Sequence, residues 1–178
     1  MFHGNVKQLS IETKAVHGCK GYDQQTGAVS FPIYQSATFW HPGLNQSTGY
    51  DYSRLQNPTR EELENTVASL ESGKYGFAFS SGMAAVSTVL SLFMPGQHII
   101  VSDDLYGGTY RLFEEIYRRY GLEFTYVDTS RINEVEQALK NNTAAIFIET
   151  PSNPMMKVTD IGATADLAKS RKLLTIVD

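Results

Sequence analysis

The fold is decided at residues Phe77–Ala85, FAFSSGMAA, where an apolar run stops at Ser-Ser-Gly and a helix-forming run begins at once. The first N–H groups of a helix lack intrahelical acceptors and lie at the positive end of the helix dipole. Gly82 lets an anion approach the backbone closely, and the hydroxyls of Ser80 and Ser81 add donors. The stretch therefore predicts either an ordinary helix cap or a phosphate site.

The sequence changes character near residue 59. Residues 1–58 are rich in Gly, Pro, Gln, Ser and Tyr, and segments such as Ser30–Gln35 are predicted to be extended rather than helical. At Thr59 a capped helix start is followed by apolar residues at helical spacing. We therefore expect an N-terminal arm without its own core at 1–58 and an α/β domain at 59–178.

Short apolar segments alternate with amphipathic ones in the second region. This alternation predicts a doubly wound α/β fold with a mostly parallel sheet flanked by helices. The predicted helices lie near residues 83–93, 107–120, 131–140 and 160–171. The predicted strands are Tyr75–Phe79, His98–Ser102, Glu123–Val127, Ala144–Ile148 and Leu173–Val177.

Several predicted strands end in residues that could contact a ligand. Ligands of such sheets bind at the carboxyl ends of the strands. After the second strand, Gly107 and Gly108 permit a tight turn and leave the Tyr106 ring facing the same crevice as the Ser-Ser-Gly junction. The loop Glu149–Pro154 carries a carboxylate and an amide between two prolines, and the last strand ends at Asp178. Each feature is common alone, and together they predict one binding site for a flat, phosphorylated ligand.

Composition argues against several classes of function. The 178 residues are 42% apolar with a formal net charge of -4, and no basic stripe indicates nucleic-acid binding. No apolar run approaches the length of a membrane span, and residues 1–20 lack the apolar core of a signal peptide. The single cysteine, Cys19, rules out an internal disulfide and suits a reducing compartment. These features predict a cytoplasmic protein with neither a nucleic-acid nor a membrane partner.

Motifs for other cofactors and for metals are missing from the sequence. No G-x-G-x-x-G follows the first strand, and Ser72–Tyr75 lacks the glycine spacing and the Ser or Thr of a P-loop. NAD and ATP are therefore disfavoured. The histidines are too far apart to predict a metal site or a Ser-His-Asp triad: His3, His17, His41 and His98.

Five motifs, in order along the chain, resemble those of the Cys/Met-metabolism family of pyridoxal-phosphate enzymes. This family includes cystathionine γ-synthase, cystathionine γ-lyase, cystathionine β-lyase, methionine γ-lyase and O-acetylhomoserine sulfhydrylase. The resemblance extends from about Gly27 to Asp178 and implies a type I aminotransferase-like fold. The motifs are Tyr50–Arg60 (YDYSRLQNPTR), Ser80–Ala85 (SSGMAA), Asp104–Arg111 (DLYGGTYR), Glu149–Pro154 (ETPSNP) and Ile176–Asp178 (IVD).

The resemblance implies pyridoxal 5'-phosphate as the cofactor and assigns its contacts within this chain. The backbone amides of Gly82 and Met83 would hold the phosphate. Tyr106 would stack on the pyridine ring and is the catalytic residue assigned here. Asn153 would contact the ring hydroxyl, and Asp178 would bind the ring nitrogen, where an ionised carboxylate favours the protonated form.

The family resemblance also implies a homo-oligomer, a tetramer built from dimers that share their sites. Tyr52 and Arg54 match the pair that reaches into the neighbouring subunit to bind its phosphate. Arginine suits this task, because its planar guanidinium forms two parallel charge-assisted bonds with a phosphate. Burial against a partner chain would also explain why residues 1–58 lack a core.

One feature departs from the family pattern. The family's Schiff-base lysine lies about two dozen residues beyond the aspartate that Asp178 matches, and a small C-terminal domain binds the substrate carboxylate. We therefore expect this chain to be the N-terminal part of a longer enzyme, without the C-terminal domain and inactive alone. None of its lysines is predicted to substitute: Lys7, Lys14, Lys20, Lys74, Lys140, Lys157, Lys169 and Lys172.

The expected function is trans-sulfuration, in which the C–S bond of cystathionine is made or cleaved by a γ-synthase or a lyase. Methionine γ-lyase and O-acetylhomoserine sulfhydrylase are alternatives from the same family. Gly108 stands where methionine γ-lyases typically carry a cysteine, which weakens that alternative. A non-enzymatic alternative is a truncated, inactive subunit that lends Tyr52 and Arg54 to a partner, although its exposed sheet edge would favour aggregation.

Overall fold

The computed structural model describes residues 9–17 and 22–178 and divides into two compact units, Met1–Phe79 and Ser80–Asp178. The boundary follows Phe79, whereas the sequence predicts a change of region at residue 59. The prediction that residues 1–58 contact a neighbouring subunit, and residues 59–178 bind the cofactor, stays a prediction. The statements about His3, Lys7, Cys19 and Lys20 concern positions outside the described residues.

The first unit contains two helices, α1 at Ile11–His17 and α2 at Pro58–Leu70. α2 begins slightly earlier than predicted, because the cap is Asn57, whose side chain accepts the N–H of Thr59 at 2.9 Å, and Pro58 occupies the first turn. α1 lies in a region for which the sequence predicts irregular structure. Its seven residues are fewer than a stable isolated helix needs, so local pattern alone does not reveal it.

Side-chain hydrogen bonds attach the segment before α2 to that helix. The N–H of Tyr34 donates to Thr59 Oγ1 at 2.8 Å, and Asn57 Nδ2 donates to the Tyr34 carbonyl at 3.1 Å. Residues 31–36 form neither helix nor strand, in agreement with the prediction that this stretch is not helical. Among the described residues of this unit, the buried apolar side chains are Pro58 and Ala68, which agrees with the expected lack of an extensive core.

The prediction of a strand at Tyr75–Phe79 is wrong, since residues 75–79 are in no strand. The Ala78 N–H donates instead to Glu64 Oε1 on α2 at 2.9 Å, and Gly76 passes so close to the Glu64 carbonyl that a Cβ would clash with it. Tyr75 and Phe77 are exposed. The apolar pattern identified an extended segment, but a strand also requires a neighbouring strand to accept its hydrogen bonds.

The second unit is built on a four-stranded parallel sheet in the order β2-β1-β3-β4. The register of β1 against β2 runs from His98 opposite Glu123 to Ser102 opposite Val127. These four strands confirm four of the five predicted ones, with bounds that differ by at most one residue. They are β1 at His98–Ser102, β2 at Glu123–Val127, β3 at Thr143–Ile148 and β4 at Leu174–Val177.

Helices pack on both faces of this sheet, because its strands alternate their apolar side chains between two core clusters. One cluster joins Ile99 and Val101 of β1 to Leu90 and Phe113, and the other contains Ile100. The two-sided core confirms the predicted doubly wound architecture. The helices are α3 at Gly82–Leu90, α4 at Gly107–Arg111 continued by a π-helical turn at Leu112–Tyr117, α5 at Ile132–Gln137 and α6 at Ile161–Ser170.

At the amino end of β1, His98 is enclosed by three strands. Its Nδ1 and Nε2 each lie 2.8 Å from a threonine hydroxyl, Thr143 on β3 and Thr125 on β2. Burial, together with the smaller effect of the nearby positive charge of Lys140, lowers the pKa of His98 from 6.5 to about 4. His98 is therefore neutral at physiological pH and ties β1 to both neighbours.

The part of the chain that the structure describes contains neither a metal-binding cluster nor a membrane-spanning helix. Residues 9–17 and 22–178 contain no group of three or more His, Cys, Asp or Glu residues arranged to hold a metal ion. No helix in these ranges is both long and apolar enough to cross a membrane.

Candidate functional site

An open cavity of about 570 Å³ lies at the carboxyl ends of β1, β3 and β4 in the second unit. This is the edge at which parallel α/β sheets bind their ligands. Four of the seven predicted cofactor-binding residues lie in its wall, namely Gly82, Met83, Tyr106 and Asp178. The cavity is lined by Ser81, Gly82, Met83, Val86, Tyr106, Thr109, Glu149, Thr150, Pro151 and Asp178.

The N-terminus of α3 forms one wall and can hold an anion. Ser81 caps the helix, with Oγ accepting the Ala84 N–H at 3.1 Å. The N–H groups of Gly82 and Met83 have no acceptor among the described residues, and a Cβ placed on Gly82 would meet no atom within 4 Å. Two free donors at the positive end of a helix, with open space beside them, suit a phosphate group.

The opposite wall carries Tyr106, which precedes α4 and is 50% exposed. Its N–H donates to Glu149 Oε2 at 2.8 Å, so that the turn after β1 is attached to the end of β3. Gly108 lies directly against the Tyr106 ring, because a Cβ at Gly108 would be about 3.1 Å from both Cδ1 and Cζ and nearer still to Cε1. The ring is therefore positioned by its surroundings and still exposes surface to a ligand.

Glu149 supplies a carboxylate to this cavity although it is only 8% exposed. Burial raises its pKa above the ordinary 4.5, the hydrogen bond from the Tyr106 N–H opposes the rise, and the negative charges of Asp178 and Asp104 add to it. The sequence identified this carboxylate as a feature of the loop Glu149–Pro154, called the Pro loop below. It did not predict the hydrogen bond from the Tyr106 N–H. The available signal was a Glu at the end of an apolar strand.

Hydroxyl groups fix the backbone at Glu149. The Glu149 N–H donates to Ser102 Oγ at 3.1 Å, and this oxygen is 2.7 Å from Thr129 Oγ1, which is 2.8 Å from Thr159 Oγ1. The last of these residues donates its own N–H to Thr150 Oγ1 at 3.0 Å. The end of β3 is thus held by a chain of buried hydrogen bonds, which limits how far the carboxylate can move.

The Pro loop is held by a second carboxylate. Asp104 accepts hydrogen bonds from the Ser152 hydroxyl and, at 2.9 Å, from the Met155 N–H. Within this loop Asn153 is exposed and is not among the residues that line the cavity. Its predicted contact with the ring hydroxyl stays a prediction.

Asp178 is fixed to the end of β3 through its backbone. Its N–H donates to the Ile148 carbonyl at 2.8 Å, and its carbonyl accepts the Thr150 N–H at 3.2 Å. These bonds continue the β3–β4 ladder and bring the residue to the cavity wall. A carboxylate is therefore available to a basic nitrogen of a ligand.

Tyr52 and Arg54 lie in the first unit. Both are exposed, and the Arg54 guanidinium carbon is 4.9 Å from the centroid of the Tyr52 ring. Tyr52 also forms a β-bridge with Thr38. Arg54 and Tyr52 therefore form a cation–π pair at the surface of the first unit. Their predicted role in the phosphate site of a neighbouring subunit stays a prediction.

The residues of the cavity fit a flat, phosphorylated cofactor with a basic nitrogen. The free amides of Gly82 and Met83 match a phosphate, the exposed ring of Tyr106 matches a planar group, and Asp178 matches the nitrogen. With a parallel sheet carrying these groups at its carboxyl edge, the second unit belongs to the class of α/β domains that suit a phosphorylated cofactor.

Comparison with known proteins identifies the family. The chain belongs to the Cys/Met metabolism PLP-dependent enzymes, whose family model matches residues 12–178. Membership gives the cofactor as pyridoxal 5'-phosphate, in agreement with the expectation from the sequence motifs.

Individual relatives are similar over almost all of this chain. It is 53% identical over 170 residues to cystathionine gamma-lyase of Bacillus subtilis (strain 168), covering 96% of this chain and 45% of the relative. It is 50% identical over 169 residues to cystathionine beta-lyase of Lactococcus lactis subsp. cremoris (strain MG1363), covering 95% and 44%. The crystal structure of cystathionine gamma-lyase from Lactobacillus plantarum complexed with L-serine superposes with a TM-score of 0.91 at 48% identity, covering 96% and 44%. The chain thus spans less than half the length of these relatives.

Proposed function

We propose that the whole protein is a pyridoxal-phosphate-dependent trans-sulfuration enzyme that makes or cleaves the C–S bond of cystathionine. The observation that supports this proposal is the meeting of Gly82, Met83, Tyr106 and Asp178 in one cavity, because these residues belong to separate family motifs. The names of the relatives support the same substrate.

Each of these residues has a binding or orienting task in the proposed reaction. Pyridoxal phosphate, when bound, withdraws electrons from the α-carbon of an amino-acid substrate. Gly82 and Met83 bind its phosphate through their amides, and Tyr106 covers one face of its ring. The Asp178 carboxylate keeps a proton on the ring nitrogen, which strengthens the electron withdrawal. Asn153 is proposed to contact the ring hydroxyl.

The lysine that holds the cofactor is proposed to come from sequence beyond Asp178. Among the described residues, no lysine lines the cavity. Lys157 follows the Pro loop, and its ammonium group forms ion pairs with Asp103 and Asp128, each at 3.1 Å. The hydrogen bonds to these carboxylates raise the pKa of Lys157 and keep its amine protonated, so Lys157 is not available as a nucleophile.

We also propose that the protein is a cytoplasmic homo-oligomer, a tetramer, in which Tyr52 and Arg54 complete the phosphate site of a neighbouring subunit. The exposure of both residues supports this arrangement, and no ion pair of the Arg54 guanidinium is found within the described residues. The single cysteine supports a reducing compartment.

Product analysis of the full-length protein tests the proposed reaction. Cystathionine, O-acetylhomoserine with cysteine, and methionine are supplied in separate assays. Cleavage at Cβ consumes water and releases homocysteine, pyruvate and ammonia, whereas cleavage at Cγ consumes water and releases cysteine, 2-oxobutyrate and ammonia. The synthase reaction forms cystathionine and acetate from O-acetylhomoserine and cysteine. Turnover of methionine, with no reaction of cystathionine or of O-acetylhomoserine with cysteine, would contradict the proposal. In a separate experiment, borohydride reduction followed by peptide mapping should find the cofactor on a lysine outside residues 7–172.

Mixing of subunits tests the sharing of sites. Arg54→Ala should weaken cofactor binding by about 1.5–3 kcal/mol, the range for hydrogen bonds to charged groups. Neither this variant nor a variant without the cofactor-binding lysine should be active alone. A hybrid dimer contains one intact site, so refolded mixtures should recover part of the activity. Mixtures with hybrids confirmed by native mass spectrometry and no recovered activity would show that Arg54 serves its own subunit.

A further inference from the structure

One carboxylate after β1 bonds to the backbone segment that carries Asn153. The Oδ2 atom of Asp104 accepts the Met155 N–H at 2.9 Å, and the same oxygen accepts the hydroxyl of Ser152. These two donors lie on either side of Asn153 in the chain. A single oxygen of Asp104 therefore holds both ends of the segment that presents Asn153.

Ser152 is the centre of a closed turn at residues 152–157, called the Ser152 turn below. Ser152 is only 3% exposed. Its N–H donates to the Lys157 carbonyl at 2.9 Å, and its hydroxyl oxygen accepts the Lys157 N–H, also at 2.9 Å. Its carbonyl accepts the Met156 N–H at 3.0 Å. The turn is thus closed by its own hydrogen bonds, and the bonds to Asp104 attach it to the end of β1.

A second attachment of the Ser152 turn is ionic. The Lys157 ammonium group lies 3.1 Å from Asp103, which follows β1, and 3.1 Å from Asp128, which follows β2. Lys157 and Asp103 are both partly exposed, and ion pairs of this kind contribute little. If Asp103 is removed, Lys157 keeps its second carboxylate. Removal of Asp104 instead breaks both hydrogen bonds of the turn at once.

The position of Asn153 depends on this turn. Asn153 is exposed, and no hydrogen bond of its side chain is found within residues 9–17 and 22–178. Its place is therefore determined by the backbone between Ser152 and Met155, the two residues that bond to Asp104. This backbone enters the turn from Pro151, which lines the cavity.

We propose that Asp104 is a positioning residue that holds the Ser152 turn where the Asn153 amide contacts the ring hydroxyl of the cofactor. Asp104 does not line the cavity and acts only through the backbone on either side of Asn153. This role rests on the proposed function, because it requires the cofactor contact proposed for Asn153.

Hydrogen exchange of the full-length protein without cofactor measures how firmly Asp104 holds the turn. In Asp104→Ala the Met155 N–H loses its acceptor, so the amides of the Ser152 turn should exchange about tenfold faster. Asp103→Ala is the matched control, since it removes the adjacent carboxylate while Lys157 keeps Asp128. Exchange in this control should stay within about threefold of wild type, as expected for an exposed ion pair. Mass spectrometry of peptides that cover the turn measures both changes.

The bound cofactor shows whether the turn acts through Asn153. A hydrogen bond to the ring hydroxyl affects the pH dependence of the cofactor's visible absorption. Asn153→Ala should shift the midpoint of this titration and weaken cofactor binding about three- to tenfold, the loss expected for one hydrogen bond. Asp104→Ala should produce the same changes, and in the Asn153→Ala background it should add nothing further. Asp104→Asn keeps an acceptor oxygen for the Met155 N–H and should restore most of the wild-type behaviour.

Ser152→Ala provides an independent route if Asp104→Ala fails to fold. It removes the hydroxyl that donates to Asp104 and leaves the Met155 N–H bonded, so it should shift the titration midpoint in the same direction by a smaller amount.

Wild-type titration and affinity in Asp104→Ala would overturn the role of Asp104 alone, provided that Asn153→Ala is altered. So would an effect of Asp104→Ala that is equally large with and without the Asn153 side chain. An unchanged midpoint in Asn153→Ala would overturn both the contact proposed for Asn153 and the role of Asp104. A wild-type protein that binds no pyridoxal phosphate would overturn the proposed function and the role of Asp104 with it.

Discussion

Glu149 and His98 lie at opposite ends of the strands of one sheet, Glu149 at the carboxyl end of β3 and His98 at the amino end of β1. Both are buried titratable residues, 8% and 0% exposed. The ring of His98 has a hydroxyl partner at each nitrogen, and neither partner lines the cavity at the carboxyl ends of the strands. The carboxylate of Glu149 holds a single N–H, lines an open cavity and has Asp178 and Asp104 as negative neighbours.

Burial shifts the pKa of both residues, so a shifted pKa does not distinguish a structural residue from a functional one. The neutral ring of His98 is enclosed and satisfied, which makes it part of the strand connections. Glu149 adds charge to a site that is open to solvent. The predictions below test this contrast at the two edges of the sheet.

The largest effect on stability is expected at His98, at the amino end of β1. His98→Leu should lower the free energy of unfolding by about 3–4 kcal/mol, because the hydroxyl of Thr125 loses its hydrogen bond to the His98 ring inside the sheet. Thr143 keeps the N–H of Lys140 at 2.8 Å. Urea denaturation of the intact protein measures the change, with His98→Gln as the polar control. A loss below about 1 kcal/mol in His98→Leu would show that the two hydrogen bonds contribute little.

The second prediction concerns the pH dependence at His98. The unfolded chain protonates near the ordinary pKa of 6.5 and the folded chain near about 4, so stability is lost as the pH falls from 6.5 to 4. The lost stability should approach about 3 kcal/mol, since each pKa unit corresponds to about 1.4 kcal/mol. The difference between wild type and His98→Gln, measured by urea denaturation across this range, isolates the histidine. Parallel curves for the two proteins would contradict the lowered pKa.

The third prediction concerns the wall of the cavity that is formed by the N-terminus of α3. Ser81→Ala should cost about 1 kcal/mol of stability, since the hydroxyl caps α3 through the Ala84 N–H. Ser80→Ala is the matched control, because no hydrogen bond of the Ser80 side chain is found in the described chain. Thermal unfolding of both variants checks the difference. Equal losses would show that the cap does not depend on Ser81.

The smallest effect is expected at Glu149. Because burial raises its pKa, the folded protein holds this proton more tightly, and stability falls as the pH rises through the range above 4.5. Glu149→Gln keeps an acceptor for Tyr106 and removes the charge, so its unfolding midpoint at pH 7 should rise slightly, by less than the change in Ser81→Ala. Glu149→Ala is the control without an acceptor. A lower midpoint in Glu149→Gln would mean that the cavity stabilises the ionised form.

Most of the fold could be predicted from the sequence because the parallel strands are short apolar runs with strong local signals. The segment at residues 75–79 has the same signal and is not a strand, since it bonds to Glu64 of α2 rather than to a neighbouring strand. Local pattern measures hydrophobicity, whereas strand formation also depends on a partner. The helix at Ile11–His17 was not predicted for a related reason, because its few residues carry too little periodicity.

The sequence by itself determined which residues stand at the ends of strands and at the start of α3, and hence that Gly82, Met83, Tyr106 and Asp178 share one cavity. Only the tertiary structure decided that Glu149 bonds to Tyr106 and that Asp104 bonds to the backbone and hydroxyl donors around Asn153. Strand ends converge because parallel strands share a direction, which follows from local order along the chain. Contacts between side chains depend on angles and distances across separate strands, and no local pattern encodes them.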